Sequence, residues 1–277
     1  MSQNKVKILV ACHKPDKVFK NEVYTPIHVG RAVSKYKEEM KDMIGDDTGD
    51  NISDKNPNFC ELTAQYWAWK NLDSEYVGLC HYRRYFATEI TENNIDGLLG
   101  EKYDMVLCTP IHESRKTGEH ILRATCLEDV YIFLECLKKV QPDYYATAMK
   151  VLSGNIFTPY NMFVMKKTLF EKFASWQFSV LFEMENYVKL SGYSRMRRLY
   201  GYMSEIMLYT YAIHHHFKVN YIPMQPMDEN GDFPVQKTKR LRTFRSILSD
   251  WFYSRGKFSL GDVNAIRVGL KNDGIQI

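Results

Sequence analysis

Three short apolar runs, Val6–Ala11, Tyr76–Cys80 and Tyr103–Cys108, each break off abruptly at polar side chains. Runs so short and so continuous suit strands buried on both faces, as in a parallel sheet. Between the first two lies a helical stretch, Glu61–Asn71, with Leu62, Gln65, Tyr66 and Trp69 at helical spacing. Helical segments follow over 119–152, then a short strand at Asn161–Lys166 and an amphipathic helix at Thr168–Val188. A helix at Met203–His216 and a last short strand at Val219–Pro223 complete this body. The alternation predicts an α/β fold: a Rossmann-type mixed sheet, mostly parallel, flanked by helices and followed by a helical tail. Residues 1–234 are expected to form one domain and 235–277 a basic amphipathic tail.

Composition narrows the function. No stretch approaches the roughly 18 apolar residues of a membrane-spanning helix. The few apolar residues after Lys5 and Lys7 are too short for a signal peptide and read as a first strand. Cys12, Cys60, Cys80, Cys108, Cys126 and Cys136 match no zinc spacing and read as free thiols of a reducing cytoplasm. A formal charge of +4 is too small to indicate nucleic acid, and no nucleic-acid motif occurs. The hydrolase, P-loop, zincin and dinucleotide-binding signatures are likewise missing.

Sheets of this kind bind ligands beyond the carboxyl ends of their strands. The candidates are therefore His13 and Lys14, the Asp46–Asn56 loop, His81 to Arg84, and Thr109 to His112. Two adjacent arginines directly after a buried strand suit a diphosphate, because guanidinium donors match phosphate oxygens. The alternative is a pair of structural arginines facing the acidic loop. Asp46, Asp47, Asp50 and Asn51 either bind a metal, hydrogen-bond a nucleotide, or form a plain solvated loop; their spacing is not that of a calcium EF-hand.

Beyond Pro234, seven basic residues fall between Lys237 and Lys257 against one acid, Asp250. Helical spacing sets Leu241, Phe244, Leu248, Trp251 and Phe252 along one stripe. With Arg242 and Arg245 beside it, that pattern suits either an anionic membrane surface or a docked terminal helix.

Taken together, ILVACHKP (8–15), PIHVG (26–30), DDTGDNIS (46–53), the run Asn58–Asn71, GLCHYRRYF (78–86) and GYMSE (201–205) resemble a bacterial family. That family is found in capsular, exopolysaccharide and O-antigen gene clusters and was long known only as a domain of unknown function. The resemblance spans most of residues 5–226. It implies a glycosyltransferase of the GT-A type with a UDP-sugar donor, galactose in pyranose or furanose form. Ala11, His13, Lys14, Asp46, Asp47, Asp50, Asn51 and Asn56 would hold the nucleotide, and His81, Arg83 and Arg84 the diphosphate. The Asp-x-Asp metal motif usual in such folds is replaced here by His-Tyr-Arg-Arg, so arginine stands in for Mg²⁺ or Mn²⁺ unless Asp46, Asp47 or Asp50 holds the ion. Glu205 matches the place of the base that deprotonates the acceptor. The acceptor implied is a lipid-linked oligosaccharide, and the location the inner face of the plasma membrane, with Arg242, Phe244, Arg245, Trp251 and Phe252 touching lipid. The rival readings are a nucleotide-sugar hydrolase and a non-catalytic sugar- or lipid-binding scaffold.

Overall fold

The structure is a computed structural model and describes residues 5–228, 230, 232–233, 248 and 256–277. In chain order its strands are β1 (Val6–Cys12), β2 (Tyr24–His28), β3 (Ile44–Gly45), β4 (Tyr76–His81), β5 (Arg84–Phe86), β6 (Met105–Cys108), β7 (Ile111–His112), β8 (Ile156–Phe157), β9 (Phe163–Lys166), β10 (Val219–Ile222) and β11 (Met224–Pro226). The helices are α1 (Asn56–Phe59), α2 (Leu62–Asn71), α3 (Ile95–Leu98), α4 (Thr117–Ile121), α5 (Leu127–Val140), α6 (Tyr145–Ser153), α7 (Lys167–Glu185), α8 (Leu199–His214) and α9 (Val263–Asn272). The chain divides into two compact units.

The first unit comprises Met1–Pro110, Thr158–Ala174 and His216–Arg240 and is built on the sheet β10-β6-β9-β4-β1-β2-β3. β1 pairs in parallel with both β2 and β4, β2 with β3, and β6 with β10. β9 runs against its neighbours β4 and β6, and β5 and β11 add antiparallel pairings at the end of β4. The expectation of an α/β fold with a mixed sheet flanked by helices is met, with parallel and antiparallel pairings in equal number among the described residues rather than mostly parallel ones. Along β1, Val6, Ile8, Val10 and Cys12 face a core shared with Tyr24, Tyr85, Phe86 and Val164, while Leu9 and Ala11 are buried as well. Burial on both sides is why the strand reads as an unbroken apolar run.

Two strands lie where the sequence offers no such run. β2 contains Pro26, which has no N–H to donate, and β3 meets β2 only at Ile27 and His28. Pro26 thus sits on a stretch of β2 that has a neighbour on one side only, where proline is tolerated. β3 is only two residues long, one of them the exposed Ile44, and just precedes the Asp46–Asn56 loop.

The second unit comprises Ile111–Phe157, Ser175–His215 and Leu241–Ile277. It is helical, around α5, α6 and α8, with the ribbon β7–β8. Phe258 lies over Gly118, where an added Cβ would stand 2.4 Å from its ring. α9 is capped by the Asp262 carboxylate, buries Ile266 and Leu270, and ties Arg267 to the Tyr131 hydroxyl at 2.7 Å. Tyr144 stacks on His214, and its hydroxyl pairs with His215 at 2.8 Å, so these two histidines belong to an aromatic cluster.

Candidate active site at the strand ends

The chain leaves β1 toward β2 and β3 on one side, then returns to place β4 on the other. The reversal opens a crevice at the carboxyl ends of β1 and β4, the usual binding place in open α/β sheets. Ala11 and His81 are paired in register there. His13 and Lys14 follow from one strand, Tyr82 and Arg83 from the other.

The side chains at this crevice are in mutual contact. The His13 ring stands 6.1 Å from that of His81 and edge-on to Tyr82 at 5.5 Å. His81 stacks on Tyr82 at 4.4 Å, and the Arg83 guanidinium lies over the same Tyr82 ring at 4.8 Å. Arg84 lies instead over the Tyr160 ring at 4.6 Å. Tyr82 and Arg83 form the turn between β4 and β5, and the Arg83 N–H donates to His81 Nδ1 at 3.2 Å. β11 braces this hairpin from the far side, pairing Arg84 with Pro226, while the Met227 N–H donates to the Arg83 carbonyl at 3.1 Å. Arg83 is exposed, Arg84 and His81 half-buried, and Tyr82 fully buried. Burial is the main cause that pushes the Tyr82 phenol up, so it is a neutral donor near neutral pH.

The Asp46–Asn56 loop is built differently from a solvated one. Asp46 has no exposed surface; its carboxylate accepts from the Gly30 N–H at 2.8 Å, the Arg31 N–H at 3.1 Å, and the Ser53 hydroxyl. Asn51 bonds within the loop, donating to the Gly49 carbonyl at 2.9 Å and accepting from the Ser53 N–H at 3.2 Å. Asn56 donates to the Cys60 carbonyl at 2.7 Å and lies against Gly30, whose φ of 68° leaves no room for a side chain. These three residues shape the loop from inside. Asp47 faces Arg31 at 3.6 Å, and the exposed Asp50 accepts from the Tyr66 hydroxyl at 3.2 Å. Ala11 is buried and its carbonyl accepts from the Tyr82 N–H at 3.2 Å, so it brings backbone rather than side chain to the crevice.

Among the described residues no group of three or more His, Cys, Asp or Glu is placed to hold an ion. The Asp46 carboxylate is already occupied by three donors.

Glu205 lies in the second unit, half-buried in the second turn of α8, beside the buried Ser204 that accepts from Gln177 Nε2 at 2.8 Å. It lies beyond the helix's first turn, where an acid would be favoured by the helix dipole alone. Arg242, Phe244, Arg245, Trp251 and Phe252 lie outside the described residues; Leu248 of the same stripe is exposed. No described helix is long and apolar enough to cross a membrane.

Tyr82 falls inside the candidate run His81 to Arg84 without a role of its own, and sequence reading misses Tyr160 and Asn161. The Tyr160–Asn161 pair betrays itself only by its positive φ angles, 76° and 52°.

The chain aligns with the solved apo structure of the WbbM bifunctional glycosyltransferase at a TM-score of 0.68 and 27% identity, covering 84% of this chain and 48% of that one. It thus spans about half the length of that solved chain, and its sheet and helices follow a GT-A-like glycosyltransferase fold. No curated protein matches it. A family described as a domain of unknown function, DUF4422, matches residues 7–216. With most of the chain inside that match, the protein belongs to the DUF4422 family.

Proposed function

We propose that the protein is a glycosyltransferase that moves a hexose, galactose or galactofuranose, from a UDP-sugar to a lipid-linked glycan acceptor. The observation that carries this reading is the meeting of His13, His81, Tyr82 and Arg83 at the β1–β4 crevice of a glycosyltransferase-like sheet, with Arg84 next in the same hairpin over Tyr160. Arg83 and Arg84 supply paired donors and fixed charge to the diphosphate as it departs, and His81 sits between them and β1. Lys14, Asp47 and Asp50 meet the nucleotide, while Asp46, Asn51 and Asn56 hold the loop that presents it. Glu205 takes the proton of the acceptor hydroxyl. The basic stretch with Arg242, Phe244, Arg245, Trp251 and Phe252 faces anionic lipid at the inner leaflet, where such an acceptor resides.

The test is a thermal-shift titration with UDP, GDP, CMP and TDP, each with EDTA or Mn²⁺, because a ligand of the native state alone raises the melting temperature. A shift with UDP that persists in EDTA supports arginine in place of metal; a shift that needs Mn²⁺ assigns the charge to an ion between Asp47 or Asp50 and the diphosphate. No shift with any nucleotide at millimolar concentration would overturn the reading. Nucleotide release at full rate without acceptor would make the enzyme a hydrolase.

A further inference from the structure

The turn that leads into β9 lies against the arginine hairpin. The β4–β9 ladder ends at Leu79 and Phe163, and its register carried two residues further sets Asn161 against His81. Tyr160, beneath Arg84, confirms the proximity. Both Tyr160 and Asn161 hold positive φ, a conformation that side chains other than glycine adopt at a cost. The turn is also buried: Thr158 and Asn161 are 0% and 1% exposed, and the Thr158 hydroxyl has no hydrogen-bond partner among the described residues.

This unfavourable backbone aims one side chain. Asn161 Nδ2 donates to Glu61 Oε1 at 2.8 Å, across a hundred residues of sequence. Glu61 stands at the start of α2, which packs on β1 and β4 and runs back toward the beginning of β4. Its half-buried carboxylate is therefore at the carboxyl end of the sheet, at the level of His81, with one oxygen fixed by a buried amide. Asp46 is enclosed by its own loop; Glu61 is held by a single side-chain donor among the described residues and is partly exposed to solvent.

An ionised carboxylate only accepts hydrogen bonds and offers about four lone-pair sites. That does not suit phosphate, whose oxygens are acceptors too. It suits the hydroxyls of a hexose attached to the diphosphate proposed at Arg83 and Arg84, and the binding of UDP alone separates these from the ribose hydroxyls and the uracil N3–H. We infer that Glu61, positioned by Asn161, binds hydroxyl groups of the donor hexose and so sets sugar specificity; this rests on the diphosphate site proposed above. Asn161 acts as the positioning residue. Sequence reading passed over both, because Glu61 looks like an acid at a helix start and Asn161 like the edge of a strand.

The test is calorimetric binding of UDP and of a panel of UDP-hexoses, UDP-galactose included, to the full chain. Wild-type protein is expected to bind one UDP-hexose more tightly than UDP. Glu61→Ala should bind UDP as before and lose about tenfold or more in affinity for that sugar nucleotide, the range for a hydrogen bond to a charged group. Asn161→Gly adopts the left-handed backbone without strain and removes the amide donor, so at an unchanged melting temperature it should show a smaller loss confined to the sugar. Unchanged affinity of Glu61→Ala for the preferred UDP-hexose overturns the inference, as does a wild type that binds no UDP-hexose better than UDP. Loss of UDP binding in Glu61→Ala with an unchanged melting temperature also overturns it, placing Glu61 at the nucleotide. Failure of the wild type to bind UDP at all removes the proposed function itself, and is read in the first arm.

Discussion

Asp46 and Asp47 are neighbours in sequence, yet one is sealed and the other open. Nothing in the letters distinguishes them, because the difference lies in the Gly30–Arg31 backbone that folds over Asp46. Asp46→Asn turns an acceptor toward those N–H donors into a donor, and should lower stability by about 1–3 kcal/mol in urea melts and weaken nucleotide binding with it. His28 is a second residue whose role the sequence hides. It is fully buried at the end of β2, and burial, opposed by Asp46, holds its pKa below the ordinary histidine value. The unfolded chain therefore binds a proton at a pH where the folded protein does not. Stability should fall as pH drops below the ordinary value of about 6.5 and level off beneath the depressed one, at no more than about 1.4 kcal/mol per pH unit from this group. Urea melts at pH 7.5 and 5.5 should show a smaller difference in His28→Gln. The proposed role of the arginines makes its own prediction: Arg83→Ala or Arg84→Ala should reduce transfer at least about a hundredfold with an unchanged melting temperature, read by single-turnover assay.

At the scale of elements, β1, β4, β6 and α2 are visible in the sequence because each is either apolar throughout or periodic. β2 and β3 are not, since each is defined by a neighbour rather than by its own composition. The same applies to the aspartate loop, whose order comes from α2. Asn71 accepts from the Asp50 N–H at 3.2 Å and donates to the Asp50 carbonyl at 2.8 Å, and the indole N–H of Trp67 donates to Thr48 Oγ1 at 2.9 Å. Gly49 makes this possible: its φ is 57°, and a Cβ there would stand 2.0 Å from Asn71 Oδ1. Gly49→Ala should cost about 1–3 kcal/mol and detach the loop from α2, seen as faster amide exchange at Asp50.

For the whole molecule, the family match ends at residue 216, before the basic stretch begins. The charge pattern there makes its own prediction. Sedimentation with anionic vesicles should exceed that with neutral vesicles, decline with salt, and drop when Arg242, Arg245, Trp251 and Phe252 are replaced together by alanine. Equal binding to both vesicle types would leave the stretch without a lipid role. The fold class was readable from strand and helix alternation, whereas the crevice chemistry needed the return of β9 and β11 from far along the chain. That return has a thermodynamic consequence. Because β11 and the strand ladder order the Tyr82–Arg83 turn in the free protein, a diphosphate arriving there has only side-chain rotamers to immobilise, about 0.5–1.5 kcal/mol for each arginine. Its capture should then proceed in one bimolecular step, with a rate set by encounter and ionic strength and no slower unimolecular phase behind it.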